Sequence, residues 1–312
     1  MLEVERVEEV IKIRMANRLF GRPLYYYAAA YWVDGLLIDT GCPRTSQELL
    51  SVIEELGLER IVNTHSHEDH IGGNAILQEG FGMEILAHPL VLPILPDPKR
   101  LRLQLYRRFI WGSPASSQGS PIGEVVTTGH YSFEIIYTPG HSEDHISLYE
   151  PRQGWLLTGD AYIGGLDKAL QADSDIYAII SSLKRLSALS TKRLFQGSGT
   201  VRDDPQEAIE KKAEYLEDLE EKVWQLHGQG LSPKEIRDRL FGRELPIAYW
   251  TLGQVVPGRA ASGILKRRPL ARRDKNVGEA LVVSRKRSTA SEGDELRRYT
   301  GVIPCARPST PG

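Results

Sequence analysis

Hydrophobic and polar positions over the first 200 residues alternate between two patterns. Short β-branched or aromatic runs, such as residues 60–64 and 133–137, predict buried strands. Between such runs, apolar residues recur at helical spacing over residues 46–56 and 174–186, which predicts amphipathic helices. Strands that alternate with helices in this way indicate an α/β fold class.

The pattern changes after residue 205 and becomes wholly helical. A long charged helix is predicted from residue 207 to 226, and Ser232-Pro233 has the N-cap and first-turn residues of a second helix. After residue 265 the chain is rich in Lys, Arg, Ser, Gly and Pro, which is typical of disorder. We therefore expect an α/β domain over 1–204, a helical C-terminal domain over 205–265, and a disordered tail over 266–312.

An insertion rich in Pro, Arg and Leu interrupts the α/β pattern at residues 89–123. We expect its residues 92–123 to form a helical arm. One interpretation is a basic lid or wall for an anionic substrate. The other is an amphipathic helix that packs on the sheet and leaves its arginines in solvent.

Composition excludes several classes of protein. A net charge of −2 argues against nucleic acid as a partner at the level of the whole chain. The two cysteines, Cys42 and Cys305, are not expected to form a structural disulfide, and scarce cysteine fits the cytoplasm. The start of the chain lacks a signal-peptide core, and the longest apolar run, residues 24–33, is far too short for a membrane span.

The most informative motif lies between residues 64 and 70, where the chain places three of its 8 histidines and an aspartate. Imidazole and carboxylate together suit zinc and its first-row neighbours. The motif follows a predicted strand and precedes a glycine-rich helix start, the position at which α/β folds place their chemistry. His65 and His67 can converge on one ion, whereas Asp69 and His70 lie past the bend and suit a second.

Three other strand ends, two after this motif and one before it, carry further candidate site residues. His141 follows a Pro-Gly turn and would complete a set of three protein ligands, with the fourth position left to water. Asp160 ends an apolar strand and could bridge two cations or cap the next helix. Asp39 ends another strand, and we expect it to hydrogen-bond to the loops rather than bind metal, since no ligand lies near it.

These motifs resemble those of the metallo-β-lactamase superfamily, in the same order, over residues 8–205. The resemblance implies a four-layer αβ/βα sandwich with a metal centre at one edge, and the later helices resemble a small C-terminal domain found in some members. It also implies one role for each candidate ligand. The first metal would be bound by His65, His67 and His141, the second by Asp69 and His70, with Asp160 as the bridge and His145 as support behind the ligands.

One position departs from the family pattern. Ser198, in the stretch Gly197-Ser198-Gly199, stands where the family commonly places a last histidine ligand. A hydroxyl is a poor substitute for imidazole at neutral pH, so the second metal should bind more weakly. We expect one or two zinc ions per subunit, with iron or manganese as alternatives.

The resemblance implies hydrolysis of a small ester, thioester or lactone by hydroxide that the metal generates from water. The substrate could be anionic. Asp69 is the candidate for orienting that water as a catalytic base. A mononuclear iron oxygenase similar to persulfide dioxygenases stays open, as does, with less support, an RNA-processing nuclease. A non-catalytic module is disfavoured by the complete ligand set, and the helical domain could close the substrate pocket or form a homodimer.

Overall fold

A computed structural model of the chain describes residues 1–19, 22–164, 174–242 and 257–266. Within these residues, two mixed β-sheets of seven and six strands form the centre of the fold. The first sheet contains β1 Leu2–Val7, β2 Val10–Leu19, β3 Arg22–Val33, β4 Leu36–Ile38, β5 Arg60–Asn63, β6 Ile85–Ala87 and β7 Ser120–Pro121. The second contains β8 Val125–Thr127, β9 Ser132–Tyr137, β10 Ile146–Glu150, β11 Trp155–Gly159, β12 Arg193–Gln196 and β13 Val201–Arg202.

Helices cover the outer faces of both sheets. Those described are α1 Ser46–Leu56, α2 Asn74–Phe81, α3 Leu105–Ile110, α4 Ile176–Ser187, α5 Pro205–Gly228, α6 Pro233–Phe241 and α7 Pro257–Lys266. Helix α1 has the predicted bounds because its apolar residues recur on one face and Gly57 follows its last turn with a φ of 79°. Helix α6 begins with the predicted Ser232 cap, which forms a reciprocal capping box with Glu235.

Three apolar clusters define the layers. Ile38 of the first sheet and Trp155 of the second are buried together between the two sheets. Ile53 of α1 and Leu77 of α2 pack on the outer face of the first sheet. Leu183 of α4 packs on the outer face of the second sheet. The predicted four-layer α/β sandwich is confirmed, and the hydrophobic effect of burying both faces of each sheet stabilises it.

The strand directions bring several loops to one edge. Strands β4, β5 and β6 are mutually parallel, so their carboxyl ends meet, and β11 runs parallel to β12 in the other sheet. Two backbone hydrogen bonds join the sheets at this edge. Ile146 N–H donates to the Thr64 carbonyl at 2.8 Å, and Ala29 N–H donates to the Gly197 carbonyl at 2.7 Å. The ends of β4 and β5 in one sheet and of β11 and β12 in the other therefore lie at one edge of the sandwich.

The insertion is less helical than predicted. Within residues 92–123 the structure has one α-helix, α3, of six residues, and a 3-10 turn before it at Pro98–Leu101. Helix α5 packs in the same apolar cluster as α4, and the boundary proposed at residue 205 stays a prediction. The predicted tail over 266–312 starts at Lys266, which is the last residue of α7, and residues 267–312 lie outside the described residues. No helix among the described residues has the length and apolarity that a bilayer span requires.

Candidate metal centre

The loop from Thr64 to His70 carries four candidate ligands directly after β5. Its bend is set by the His67 carbonyl, which accepts hydrogen bonds from the N–H groups of His70 at 2.9 Å and Ile71 at 3.1 Å. A glycine is required just beyond, because a Cβ on Gly72 would lie 2.3 Å from the backbone nitrogen of Pro43. The loop is thus packed tightly against the chain that follows β4.

A first cluster is formed by His65, His67 and His141. All three are buried, and their ligand nitrogens lie within 4.8 Å of one another. The Nδ1 atom of His67 and the Nε2 atom of His141 are 3.0 Å apart, although 74 residues separate them in sequence. Two nitrogens bound to one tetrahedral zinc ion are expected to be about 3.3 Å apart, given zinc–nitrogen bonds of about 2.0 Å. The arrangement matches what a single cation requires.

The hydrogen bonds of His65 show that its remaining nitrogen suits a cation. Thr64 Oγ1 donates to Asp39 Oδ2 at 2.8 Å, so it accepts from His65 Nδ1, 3.0 Å away. The proton of His65 therefore lies on Nδ1, and Nε2 carries a lone pair. That Nε2 atom is buried and has no hydrogen-bond partner among the described residues. A buried lone pair without a partner is costly unless a ligand binds there, and a metal ion fits this requirement.

A second cluster is formed by His65, His70 and Asp160. Asp160 Oδ2 lies 3.6 Å from His70 Nε2 and 3.4 Å from His141 Nε2, so it reaches toward both clusters. Asp69 lies slightly further out, with Oδ2 at 3.9 Å from His70 Nε2. The structure therefore brings together all six residues that the sequence singled out, with Asp160 between the two groups.

Electrostatics distinguish the two clusters. Burial lowers the pKa of His65 well below its ordinary value, and burial lowers that of His141 to a pKa of about 4. Burial opposes the charge of His70 as well, but nearby carboxylates, led by Asp39 and Asp160, raise its pKa well above the ordinary value. Burial would raise the pKa of Asp160, yet His70 and His141 keep it well below its usual range. His65 and His141 are therefore neutral at neutral pH, whereas His70 and Asp160 form a charged pair in the second cluster.

Asp39 connects the end of β4 to both the loop and the second cluster. Its Oδ1 accepts from Thr64 N–H at 2.7 Å, and its Oδ2 accepts from His70 Nδ1 at 2.8 Å. The residue has a φ of 60°, a left-handed conformation that aspartate tolerates better than most residues. The predicted hydrogen-bonding role is confirmed. The expectation that no candidate ligand lies near Asp39 is wrong, because the chain beyond β5 brings His70 back to it.

His145 has no nitrogen left for a cation. Asp160 N–H donates to His145 Nε2 at 3.0 Å, so the ring proton lies on Nδ1, which is 2.9 Å from Thr138 Oγ1. A side chain at the adjacent Gly159 would clash with this ring, since its Cβ would lie 2.8 Å from His145 Nε2. His145 thus fixes the backbone at Asp160, which agrees with a supporting role.

The end of β12 closes the other side of the centre. A Cβ on Gly197 would lie 2.2 Å from Asp160 Oδ1 and 3.0 Å from His70 Cε1, so the backbone itself touches the second cluster. The next residue, Ser198, is half-buried, and its hydroxyl is 3.4 Å from Thr200 Oγ1. Ser198 therefore follows a residue in direct contact with the second cluster, where a histidine could have added an imidazole.

Two features of the centre escaped the sequence analysis. Asp144 Oδ2 accepts from Ser66 N–H at 3.2 Å and ties the His141 loop to the His65 loop. Glu68, inside the ligand motif, forms a buried ion pair with Arg107 of α3. The chain position of Glu68 between two candidate ligands was a signal, but nothing local identified its partner 39 residues away.

Comparison with known proteins agrees with this geometry. The family model for the metallo-beta-lactamase superfamily matches residues 27–197, more than half of the chain. A beta-lactamase-like protein 2 homolog of Caenorhabditis elegans is 27% identical over 187 residues, which cover 58% of this chain and 57% of that protein. A hydroxyacylglutathione hydrolase of Legionella pneumophila (strain Paris) is 35% identical over 108 residues, 34% of each chain. The chain thus spans less than two thirds of the length of both relatives.

Solved structures show the same fold. A metallo-beta-lactamase family protein from Thermus thermophilus superposes with a TM-score of 0.62 at 20% identity, covering 83% of this chain and 94% of that one. A metallo-beta-lactamase from Pontibacter korlensis superposes with a TM-score of 0.56 at 20% identity, covering 70% and 99%. These likenesses concern the fold alone.

Proposed function

Since this chain belongs to the metallo-beta-lactamase superfamily, we propose that it is a metal-dependent hydrolase of a small ester, thioester or lactone. The observation that carries the proposal is the buried, unpartnered Nε2 of His65 beside the ligand nitrogens of His67 and His141. A buried histidine with a purely structural role is expected to have hydrogen-bond partners for its ring nitrogens.

The contacts support a proposed role for each ligand. His65, His67 and His141 would hold one cation, and His70, Asp69 and Asp160 would hold a second, more weakly because Ser198 supplies no imidazole. We propose zinc as the metal, since imidazole and carboxylate are among its usual ligands. Such cations supply Lewis-acid activation of water and of a substrate oxygen.

The protein's own groups then have distinct tasks. Asp69, whose side chain is 17% exposed, would orient the attacking water as the base that accepts its proton. Asp39 keeps the His70 ring in one orientation through its hydrogen bond to Nδ1. Burial of the three imidazoles of the first cluster excludes bulk water, which strengthens every electrostatic interaction there.

Support for a substrate class comes from the relatives rather than from the geometry. Hydroxyacylglutathione hydrolases recur among the similar proteins, so we propose an acyl thioester of a small thiol as the substrate and the cytoplasm as the location. The scarcity of cysteine supports that location.

Elemental analysis combined with a substrate panel tests the proposal. Purified protein should contain zinc, and it should hydrolyse a hydroxyacylglutathione thioester or a simple lactone, with activity lost on chelation and restored by zinc. Iron in the protein together with oxygen consumption would instead support an oxygenase. Cleavage of RNA with binding that falls steeply with salt would support a nuclease.

A further inference from the structure

Helix α3 lies against the loop that carries the candidate ligands, although it belongs to the insertion between the two ligand motifs. Its contacts include three to other parts of the chain. Arg107 pairs with Glu68, Asn17 Nδ2 donates to the carbonyl of Ile110, and Arg44 Nη2 donates to the carbonyl of Arg108 at 3.5 Å. Only the first of these contacts reaches the ligand loop itself.

The Glu68–Arg107 contact is a two-pronged ion pair. Arg107 Nε donates to Glu68 Oε1 at 2.7 Å, and Nη2 donates to Oε2 at 2.6 Å. The Glu68 side chain is 0% exposed and that of Arg107 is 12% exposed. Parallel charge-assisted hydrogen bonds of this kind fix both distance and orientation. Removal of either partner would leave the other charge buried without compensation.

Glu68 occupies a special place in the chain, because its neighbours are His67 and Asp69. The backbone torsions that aim the Glu68 carboxylate at Arg107 also aim the adjacent ligand candidates. A shift of the loop that moved His67 or Asp69 would therefore pull the carboxylate away from α3. The converse holds as well, because a displaced α3 would release the loop.

The geometry points to Arg107 as a positioning residue that couples the docking of α3 to cation binding by the ligand loop. A cation that orders the loop orders α3 through the ion pair. Helix α3 exposes Leu105 and Phe109, 74% and 58% exposed, so the coupling sets where this apolar surface stands relative to the metal centre. The inference rests on the proposed cation site and not on the proposed reaction.

Hydrogen exchange of the full chain, with zinc and with a chelator, measures this coupling directly. In the unmodified protein, zinc should slow exchange of the backbone amides of residues 105–112 by about tenfold, beside its effect on residues 64–74. In the Arg107→Met variant, the zinc effect on 105–112 should fall below about twofold while residues 64–74 remain protected. Arg108→Met, an exposed charge on the same helix, is the matched control and should behave like the unmodified protein.

Zinc affinity provides a second readout that a merely structural role would not move. Because coupling between two sites is reciprocal, Arg107→Met should weaken zinc binding by the same factor, about tenfold, in competition with a chromophoric chelator. Arg107→Lys keeps the positive charge but cannot form the two parallel hydrogen bonds. It should therefore retain part of the coupling that Arg107→Met loses. If Arg107→Met does not fold, Glu68→Gln tests the same prediction, with Glu79→Gln on exposed helix surface as its control.

The outcomes separate this inference from the proposed function. Zinc that binds the unmodified chain without slowing exchange in 105–112 would overturn the coupling alone. The same holds if Arg107→Met and Glu68→Gln both retain the full zinc effect on α3. Failure of the unmodified chain to bind zinc in equilibrium dialysis would overturn the coupling and the metal-dependent function together.

Discussion

The Nδ1 atom of His70 lies 2.8 Å from Asp39 Oδ2, and this contact joins the end of one strand to the metal loop of the next. It places the ring proton on Nδ1 and leaves Nε2 to face Asp160 and Asp69. A carboxylate behind a histidine in this way fixes the tautomer and raises the basicity of the free nitrogen. Asp39 thereby acts on the second cluster without belonging to it.

Replacement of Asp39 by Asn should weaken that second cluster selectively. In the variant, an amide N–H group in place of Oδ2 would face the N–H donor of His70 Nδ1. The hydrogen bond that orients the His70 ring would then be lost. We expect zinc affinity at the weaker site to fall about 10- to 100-fold, as measured by titration calorimetry. The loss at the tighter site should be smaller, because Asp39 reaches His65 indirectly, through Thr64. Asp34→Asn is the matched control, since Asp34 has a similar φ of 49° but pairs with the exposed His130. Equal losses in both variants would contradict the prediction.

Replacement of His67 by Ala should remove both metal retention and turnover. The first cluster would be left with two imidazoles, which cannot complete a three-ligand site. Elemental analysis and the hydrolysis assay on the same preparation measure the two losses. His227→Ala, on the exposed face of α5, should change neither. Unchanged activity in His67→Ala would refute the proposed site.

Position 198 offers a test by gain of function. Ser198→His would restore an imidazole next to the backbone that touches His70 and Asp160. We expect the affinity for the second zinc ion to rise at least about tenfold, seen as a stoichiometry closer to two after dialysis. Ser198→Ala should leave the stoichiometry unchanged, and a loss in that variant would show that the hydroxyl itself is a ligand.

Proton release should distinguish the two cation sites. The pKa of His141 is about 4, so near neutral pH the first cation displaces no proton from it. The pKa of His70 is raised in the metal-free protein, so it holds a proton at neutral pH that the second cation must displace. Second-site affinity should therefore increase with pH until the pKa of His70 is passed. Calorimetry in buffers of different protonation enthalpy should find about one proton released for the second ion.

Gly197 tests how closely the end of β12 must approach the centre. A Cβ there would lie 2.2 Å from Asp160 Oδ1, so Gly197→Ala should lower the free energy of unfolding by about 1–3 kcal/mol and weaken metal binding. Gly123→Ala is the control, because its nearest contact would be at 4.0 Å. Urea unfolding of both variants gives the comparison, and a neutral Gly197→Ala would show that the loop yields at little cost.

Much of the fold could be predicted because its signals are local. The helix over residues 46–56, the capped start of α6 and the strand before His65 depend on periodicity and end residues within a few positions. The insertion could not be predicted in the same way. Its charged and apolar residues fit either a basic lid or substrate wall or an amphipathic helix with its arginines in solvent. Arg107 departs from the second interpretation, because it is buried against Glu68.

The sequence by itself determined which residue types stand at the ends of strands, because motif spacing and strand periodicity are properties of a short segment. Tertiary structure alone decided that His141 meets His67, that the Nε2 atom of His65 has no partner among the described residues, and that Asp39 lies behind His70. These relationships join segments tens of residues apart. They arise only when parallel strands of two packed sheets bring their carboxyl ends to one buried edge, where unpaired polar atoms are costly.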